Sequence, residues 1–155
     1  MAAERLAAAF GSFADLVRDH ARERPAHPAL VQDDRTLDYA GLDAAMDRVA
    51  RALQRDGIGP GESVAMCAWN SIEYLVVFLG CLRAGVAAAL IQPSLQPQAI
   101  ERMVRDAGAR RAFVDRATVQ ALAADSVALP EPVVLDGAPS LESWLGSDEI
   151  GRAHV

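Results

Sequence analysis

From Ser63 onward the chain alternates short apolar runs with amphipathic ones, and this alternation restricts its fold more than any other feature. Val64–Cys67, Val86–Ile91, Ala112–Val114 and Val133–Leu135 are each apolar at consecutive positions, so both faces of each strand are expected to be covered. Between them lie three helical patterns. Asn70-Ser71-Ile72-Glu73 opens a helix whose apolar face is expected to hold Ile72, Leu75, Val76, Leu79 and Leu82. Pro97 opens a second, carrying Ile100, Met103, Val104 and Ala107 and stopped by Gly108, and Thr118–Ala124 forms a third. Strands covered on both faces and separated by helices predict an α/β fold, a parallel sheet flanked by helices.

The first 60 residues read differently. Ser12 and Asp15 predict a helix start, with Phe13, Leu16, Val17 and His20 on one face and Pro25 at its end. Ala29–Val31 and Arg35–Leu37 are expected to be strands joined by Gln32-Asp33-Asp34. A second helix carries Tyr39, Leu42, Met46, Val49 and Leu53 on its apolar stripe and ends at Gly57. Asp33, Asp34 and Asp38 cluster near the polar turn, where solvation is the ordinary explanation.

Composition removes several functions. A net charge of −6 argues against nucleic acid and against an anionic membrane surface. All 15 basic residues are arginine, so no phosphate-loop lysine or Schiff-base lysine exists in this sequence. Cys67 and Cys81 sit in apolar runs at a spacing that fits no zinc or redox motif, and they are expected to be buried, reduced thiols. Tyr74–Ile91 is apolar except for Arg83, whose charge in mid-segment makes a membrane span costly. No transmembrane segment or signal peptide is expected, the Leu6–Phe10 run being too short, and a cytoplasmic location follows as the expectation. Lone His20 and His27 read as structural residues, not metal ligands.

Gly57-Ile58-Gly59-Pro60-Gly61 is glycine-rich, but it follows a helix and precedes a strand. A phosphate loop needs the reverse order, with the anion at a helix N-terminus, so this segment reads as a turn. No nucleophile elbow, paired-histidine motif or cysteine cluster is present.

Several stretches together resemble the adenylate-forming (AMP-binding) superfamily of acyl- and aryl-CoA synthetases, peptide-synthetase adenylation domains and luciferases. Thr36-Leu37-Asp38-Tyr39-Ala40-Gly41-Leu42 is similar to that family's Leu-Thr/Ser-Tyr-x-Glu-Leu core, with departures at Asp38 and Gly41. Gly57–Ala65 is similar to its helix-end turn and strand, and Asn70-Ser71-Ile72-Glu73-Tyr74 to its Asn-Ser-x-Glu-Phe helix start. Phe78-Leu79-Gly80-Cys81-Leu82-Arg83-Ala84-Gly85 resembles its Leu-Lys-Ala-Gly element, and Ile100–Asp115 its next helix and strand. Where the family has Pro two residues before Asn or Asp, this chain has Leu90 and Gln92, while Pro93 agrees.

The resemblance implies that residues 1–148 are the incomplete N-terminal part of the large domain of such an enzyme. It also implies an acyl-CoA synthetase of fatty acid metabolism as the parent, with a small carboxylic acid, ATP, Mg2+ and CoA as its substrates and cofactor. A peptide-synthetase adenylation domain and a non-catalytic α/β binding module are the alternatives. The family's phosphate loop, ATP-binding acidic residue and catalytic lysine lie further along. No catalytic, cofactor-binding or metal residue is therefore assigned in this chain, and it is expected to be inactive and to self-associate through unpartnered apolar surface.

Residues 149–155 are expected to be a non-native tail. A common sequencing adapter, AGATCGGAAGAGCACACGTCTGA, encodes Ile-Gly-Arg-Ala-His-Val and a stop in one frame, which reproduces Ile150–Val155, and its first two bases fit the codon of Glu149.

Overall fold

The computed structural model describes residues 11–137 and 140–146; the expectations for Leu6–Phe10 and for 149–155 lie outside the described residues. Helix α1, Phe13–Glu23, starts at a complete capping box. The Ser12 hydroxyl accepts from the Asp15 backbone N–H at 3.1 Å, and the Asp15 carboxylate accepts from the Ser12 N–H at 3.2 Å. The helix buries Ala14 and Val17, whereas Phe13 is 58% and Leu16 37% exposed, so the expected inward face is rotated. The small Ala14 side chain lets Arg83 of a neighbouring helix donate to the Ala14 carbonyl at 3.0 Å, a contact that helical spacing alone does not signal.

Strands β1, Pro28–Gln32, and β2, Arg35–Asp38, form an antiparallel hairpin with Gln32 opposite Arg35. Its turn places Asp33 at φ 53°, a left-handed conformation that aspartate tolerates. Asp38 does not belong to the solvated turn as expected. It caps α2, Tyr39–Arg55, accepting from the Gly41 N–H at 2.8 Å. The stripe Leu42, Met46, Val49 and Leu53 is buried, joined by Ala50 and Ala52, and Gly57 ends the segment at φ 74°.

Strands β3, Ser63–Cys67, β4, Ala87–Leu90, β5, Ala112–Val114, and β6, Val133–Val134, pair in parallel in the order β4-β3-β5-β6. Helix α3, Ile72–Ala84, carries the chain from β3 outward to β4. Helix α4, Pro97–Asp106, then carries it back across β3 to β5, and α5, Arg116–Ala124, carries it on to β6. The direction of travel reverses after β4, so a single crossover handedness puts α3 on one face and α4 and α5 on the other. The two apolar clusters agree. One joins α1–α3 with Val64, Met66 and Phe113, and the other joins Ile100, Val104 and Leu122 with Ala65, Cys67 and Val114. Helix α6, Ser140–Gly146, packs on the first face through Leu141, Trp144 and Leu145.

Helix α3 packs against both α2 and β4 and therefore buries two sides. Val77, Gly80 and Cys81 are buried with Ile72, Val76 and Leu79, while Leu75 and Leu82, expected inside, are 37% and 43% exposed. Met103 of α4 is likewise outside. Cys67 and Cys81 are buried free thiols. Arg83, the charge that interrupts the apolar run, is 11% exposed and engages Asp43 at 2.7 Å and Asp47 at 3.1 Å. Among the described residues no helix is long and apolar enough to cross a membrane.

Candidate functional site at the carboxyl edge of the sheet

In an open parallel sheet, ligand crevices form beyond the carboxyl ends of the strands, where the order of connection reverses. Here that point lies between β3, whose next strand is β4, and β5 on its other side. Two of the loops that leave this edge, those after β3 and β5, are held by side-chain caps, whereas the helix after β4 starts at Gln96 without one. Ser71 starts α3, its hydroxyl accepting from the Tyr74 N–H at 3.1 Å, and the Ile72 N–H donates to the Gln32 side chain at 3.1 Å.

Asp115 follows β5 and is 9% exposed. One carboxylate oxygen caps α5 by accepting from the Thr118 N–H at 2.8 Å. The other accepts from the Trp69 N–H at 2.8 Å, which ties the loop after β3 to the loop after β5. Asp115 thus closes the switch point with protein contacts. An Asp three residues before Thr118 is a cap signal in the sequence, whereas its bond to the Trp69 N–H has no local signal.

Beside this tie lies a cleft of about 210 Å³, lined by Ala68, Trp69, Asn70, Tyr74, Leu90, Ile91, Gln92 and Pro93. Trp69 is 62% exposed on its rim. The two positions that depart from the family pattern, Leu90 and Gln92, stand together on this wall with Pro93. A second depression of about 370 Å³ lies between the hairpin and α6, where Arg35 pairs with Glu73. A third opening, about 450 Å³, lies among α1, α2 and α3. Two of the three arginines that line it, Arg18 and Arg83, are committed to Asp43 and Asp47, and it lies away from the sheet edge, so the switch-point cleft is the better candidate.

The chemistry available at the edge is binding, not nucleophilic attack. Burial, reinforced by the Asp115 charge, pushes the Cys67 thiol up to about 11, and burial pushes Cys81 up to about 12, so neither is a thiolate near neutrality. Burial also raises the Tyr74 hydroxyl. His20 stacks on Tyr39 at 4.8 Å between ring centres. The Gly57–Gly61 turn sits at the amino end of β3, opposite the crevice, and Glu62 holds it by accepting from the Gly59 N–H at 3.1 Å. Among the described residues no group of three or more His, Cys, Asp or Glu could hold a metal.

Comparison with known proteins places this geometry in a context. The family model for the AMP-binding enzyme matches residues 17–153. A 3-hydroxybenzoate–CoA ligase of Aromatoleum sp. (strain CIB) is 32% identical over 114 residues, 72% of this chain and 22% of the relative. Surfactin synthase subunit 3 of Bacillus subtilis (strain 168) is 39% identical over 85 residues, 55% of this chain and 7% of the relative. The crystal structure of a benzoate CoA ligase from Burkholderia xenovorans LB400 superposes with a TM-score of 0.79 at 26% identity, over 89% of this chain and 29% of that one. The chain thus spans under a quarter of either relative's length and under a third of the solved chain.

Proposed function

Because the chain belongs to the AMP-binding enzyme family, we propose that it is the N-terminal part of a cytoplasmic, ATP-dependent acyl-CoA synthetase of fatty acid metabolism, inactive as it stands. The parent joins a small carboxylic acid to AMP with release of pyrophosphate, then passes the acyl group to the thiol of CoA. The observations that support this reading are the family match over residues 17–153 and the absence of any lysine from the chain. Stabilising the charge that develops on a transferring phosphoryl group takes positioned cations and donors. Of the arginines that line openings, Arg18 and Arg83 are paired with Asp43 and Asp47, and Arg35 with Glu73.

Residues 149–155 are assigned to adapter read-through on the codon agreement given above. The nucleotide sequence of the gene across codon 149 tests this; an open frame leading into a Ser/Thr/Gly-rich loop and a lysine is expected. A genomic stop at the same place would refute it and favour a non-catalytic binding module.

The activity is tested by carboxylate-dependent ATP–pyrophosphate exchange on the 155-residue chain and on the extended open frame. Exchange is expected only from the extended protein, with CoA as thiol acceptor. Exchange by the short chain refutes the inactive-fragment reading. The identity to a surfactin synthase subunit favours a second reading, a peptide-synthetase adenylation domain. Amino-acid-dependent exchange with transfer to a carrier protein and not to CoA would select it.

A further inference from the structure

We propose that the open edge of β4 is a self-pairing surface, through which two copies of this chain join their sheets about a two-fold axis. In the described fold β4 is the outermost strand and pairs on one side only, with β3. The Ala87 and Ile91 N–H groups donate to the Glu62 and Met66 carbonyls at 3.0 and 2.9 Å, so odd-numbered positions face β3. Strand alternation then turns the N–H and C=O groups of Ala88 and Leu90 to the open side, where no partner stands among the described residues.

This edge has none of the usual protection. Edge strands are commonly blunted by charge, proline or a bulge. Ala87-Ala88-Ala89-Leu90 contains none of these, and from Ala84 to Ile100 the chain has no Asp, Glu, Lys, Arg or His at all. Two molecules of net charge −6 can therefore meet along this segment with no charge of its own opposing them.

A second copy fits for a geometric reason. An antiparallel pair about a two-fold axis at Ala89 sets Ala88 opposite Leu90 of the other copy, and Leu90 opposite its Ala88. Each of these is a hydrogen-bonded position, so all four outward groups on each strand are satisfied. Ala89 then faces its own equivalent at the closer, non-hydrogen-bonded position, where only a small side chain is present to meet. Ala88 packs on the α1–α3 face of the sheet, and Leu90, two residues on, shares that face and is 52% exposed. The exposed half of Leu90 gives the pair apolar surface to bury.

The test is sedimentation equilibrium of the untagged 155-residue chain over a wide concentration range. A monomer–dimer equilibrium is expected, abolished by Leu90→Lys without change in the thermal melt, because that side chain is already largely in solvent. Ala89→Cys should give an interchain disulfide on oxidation, since opposed non-hydrogen-bonded positions lie about 4.5 Å apart at Cα. Gln120→Cys, on the other face, should not. A strictly monomeric wild type, as when another segment of the same chain covers β4, overturns the proposal. So does association that survives Leu90→Lys and yields no Ala89→Cys cross-link.

Discussion

A β-carbon placed on Gly80 would lie 2.5 Å from both Cβ and Cγ1 of Val49, closer than real contacts allow, so α2 and α3 pack at a separation that only glycine permits. Glycine in mid-helix ordinarily costs about 1 kcal/mol against alanine, while overpacking a close contact costs about 1–3 kcal/mol. At this distance the clash dominates. Gly80→Ala is expected to destabilise the chain by about 1–2 kcal/mol, measured by urea unfolding. Val49→Ala in the same molecule should recover part of that loss, which a double-mutant cycle reads as coupling between the sites.

The rotation of α3 has its own test. Leu79 is 7% exposed in the main cluster, whereas Leu75 is 37% exposed one turn away. An unpaired carboxylate at a buried site costs several kcal/mol, comparable with the whole stability of a small domain. Leu79→Asp should therefore abolish the cooperative melt, and Leu75→Asp should leave it within about 0.5 kcal/mol of wild type. Equal effects from the two would show that the helix is oriented otherwise.

The same helix marks the limit of reading faces from sequence. Strand positions, the helix starts at Ser12 and within Asn70–Glu73, and the Gly57 and Gly108 stops follow from local patterns, and the structure reproduces them. Ile72–Leu82, however, is apolar nearly all round, so periodicity predicts a buried helix without saying which sides α2 and the sheet will take. In α1 the longer apolar side chains pointed to the wrong face, because close approach to α3 selected Ala14. The tie from Asp115 to the loop after β3 is illegible for a different reason. The bond to the Trp69 N–H joins residues 46 positions apart, and only the β3–β5 pairing brings them together.

Arg83 anchors three helices. Its guanidinium donates to the Ala14 carbonyl of α1 at 3.0 Å and the Asp43 carbonyl of α2 at 2.9 Å, besides pairing with the Asp43 and Asp47 carboxylates. Hydrogen bonds to charged groups contribute about 1.5–3 kcal/mol each when mostly buried, and the partial exposure of Asp47 reduces its share. Arg83→Met, which retains the apolar stem, is expected to cost about 2–3 kcal/mol and to loosen α1 first. Amide hydrogen exchange should show the Phe13–Glu23 protections falling before those of β3.

The buried thiols make stability fall at alkaline pH. The folded values are raised, to about 11 for Cys67 and about 12 for Cys81, above an ordinary 9.0. Between 9 and these values the unfolded chain loses protons that the folded chain keeps, so it is the unfolded state that gains stability as pH rises. The thiols' contribution is thus intact below about pH 9 and declines through pH 11 to 12. Cys67→Ala with Cys81→Ala should flatten that decline in a pH series of urea midpoints. In the wild type at neutral pH, a thiol reagent should label neither cysteine until the chain is unfolded.

Asp115 carries the last prediction, because it holds both the start of α5 and the rim of the crevice. Removing its carboxylate orphans the Thr118 N–H at a helix start, worth about 0.5–2 kcal/mol, and frees the Trp69 N–H as well. Asp115→Ala is therefore expected to lower stability by about 2 kcal/mol, and Asp115→Asn by less, since the amide oxygen can satisfy one of the two donors. The two donors separate in a local readout. Trp69 is exposed while Trp144 is buried against Phe113 at 5.1 Å, so a quencher such as acrylamide reaches Trp69 preferentially. With Trp144→Phe as background, Asp115→Ala should increase the quenching of Trp69 and lower its fluorescence anisotropy at a denaturant concentration where the chain is still folded. A pure helix-cap role would change the melting curve and leave Trp69 untouched, and that result would remove Asp115 from the crevice.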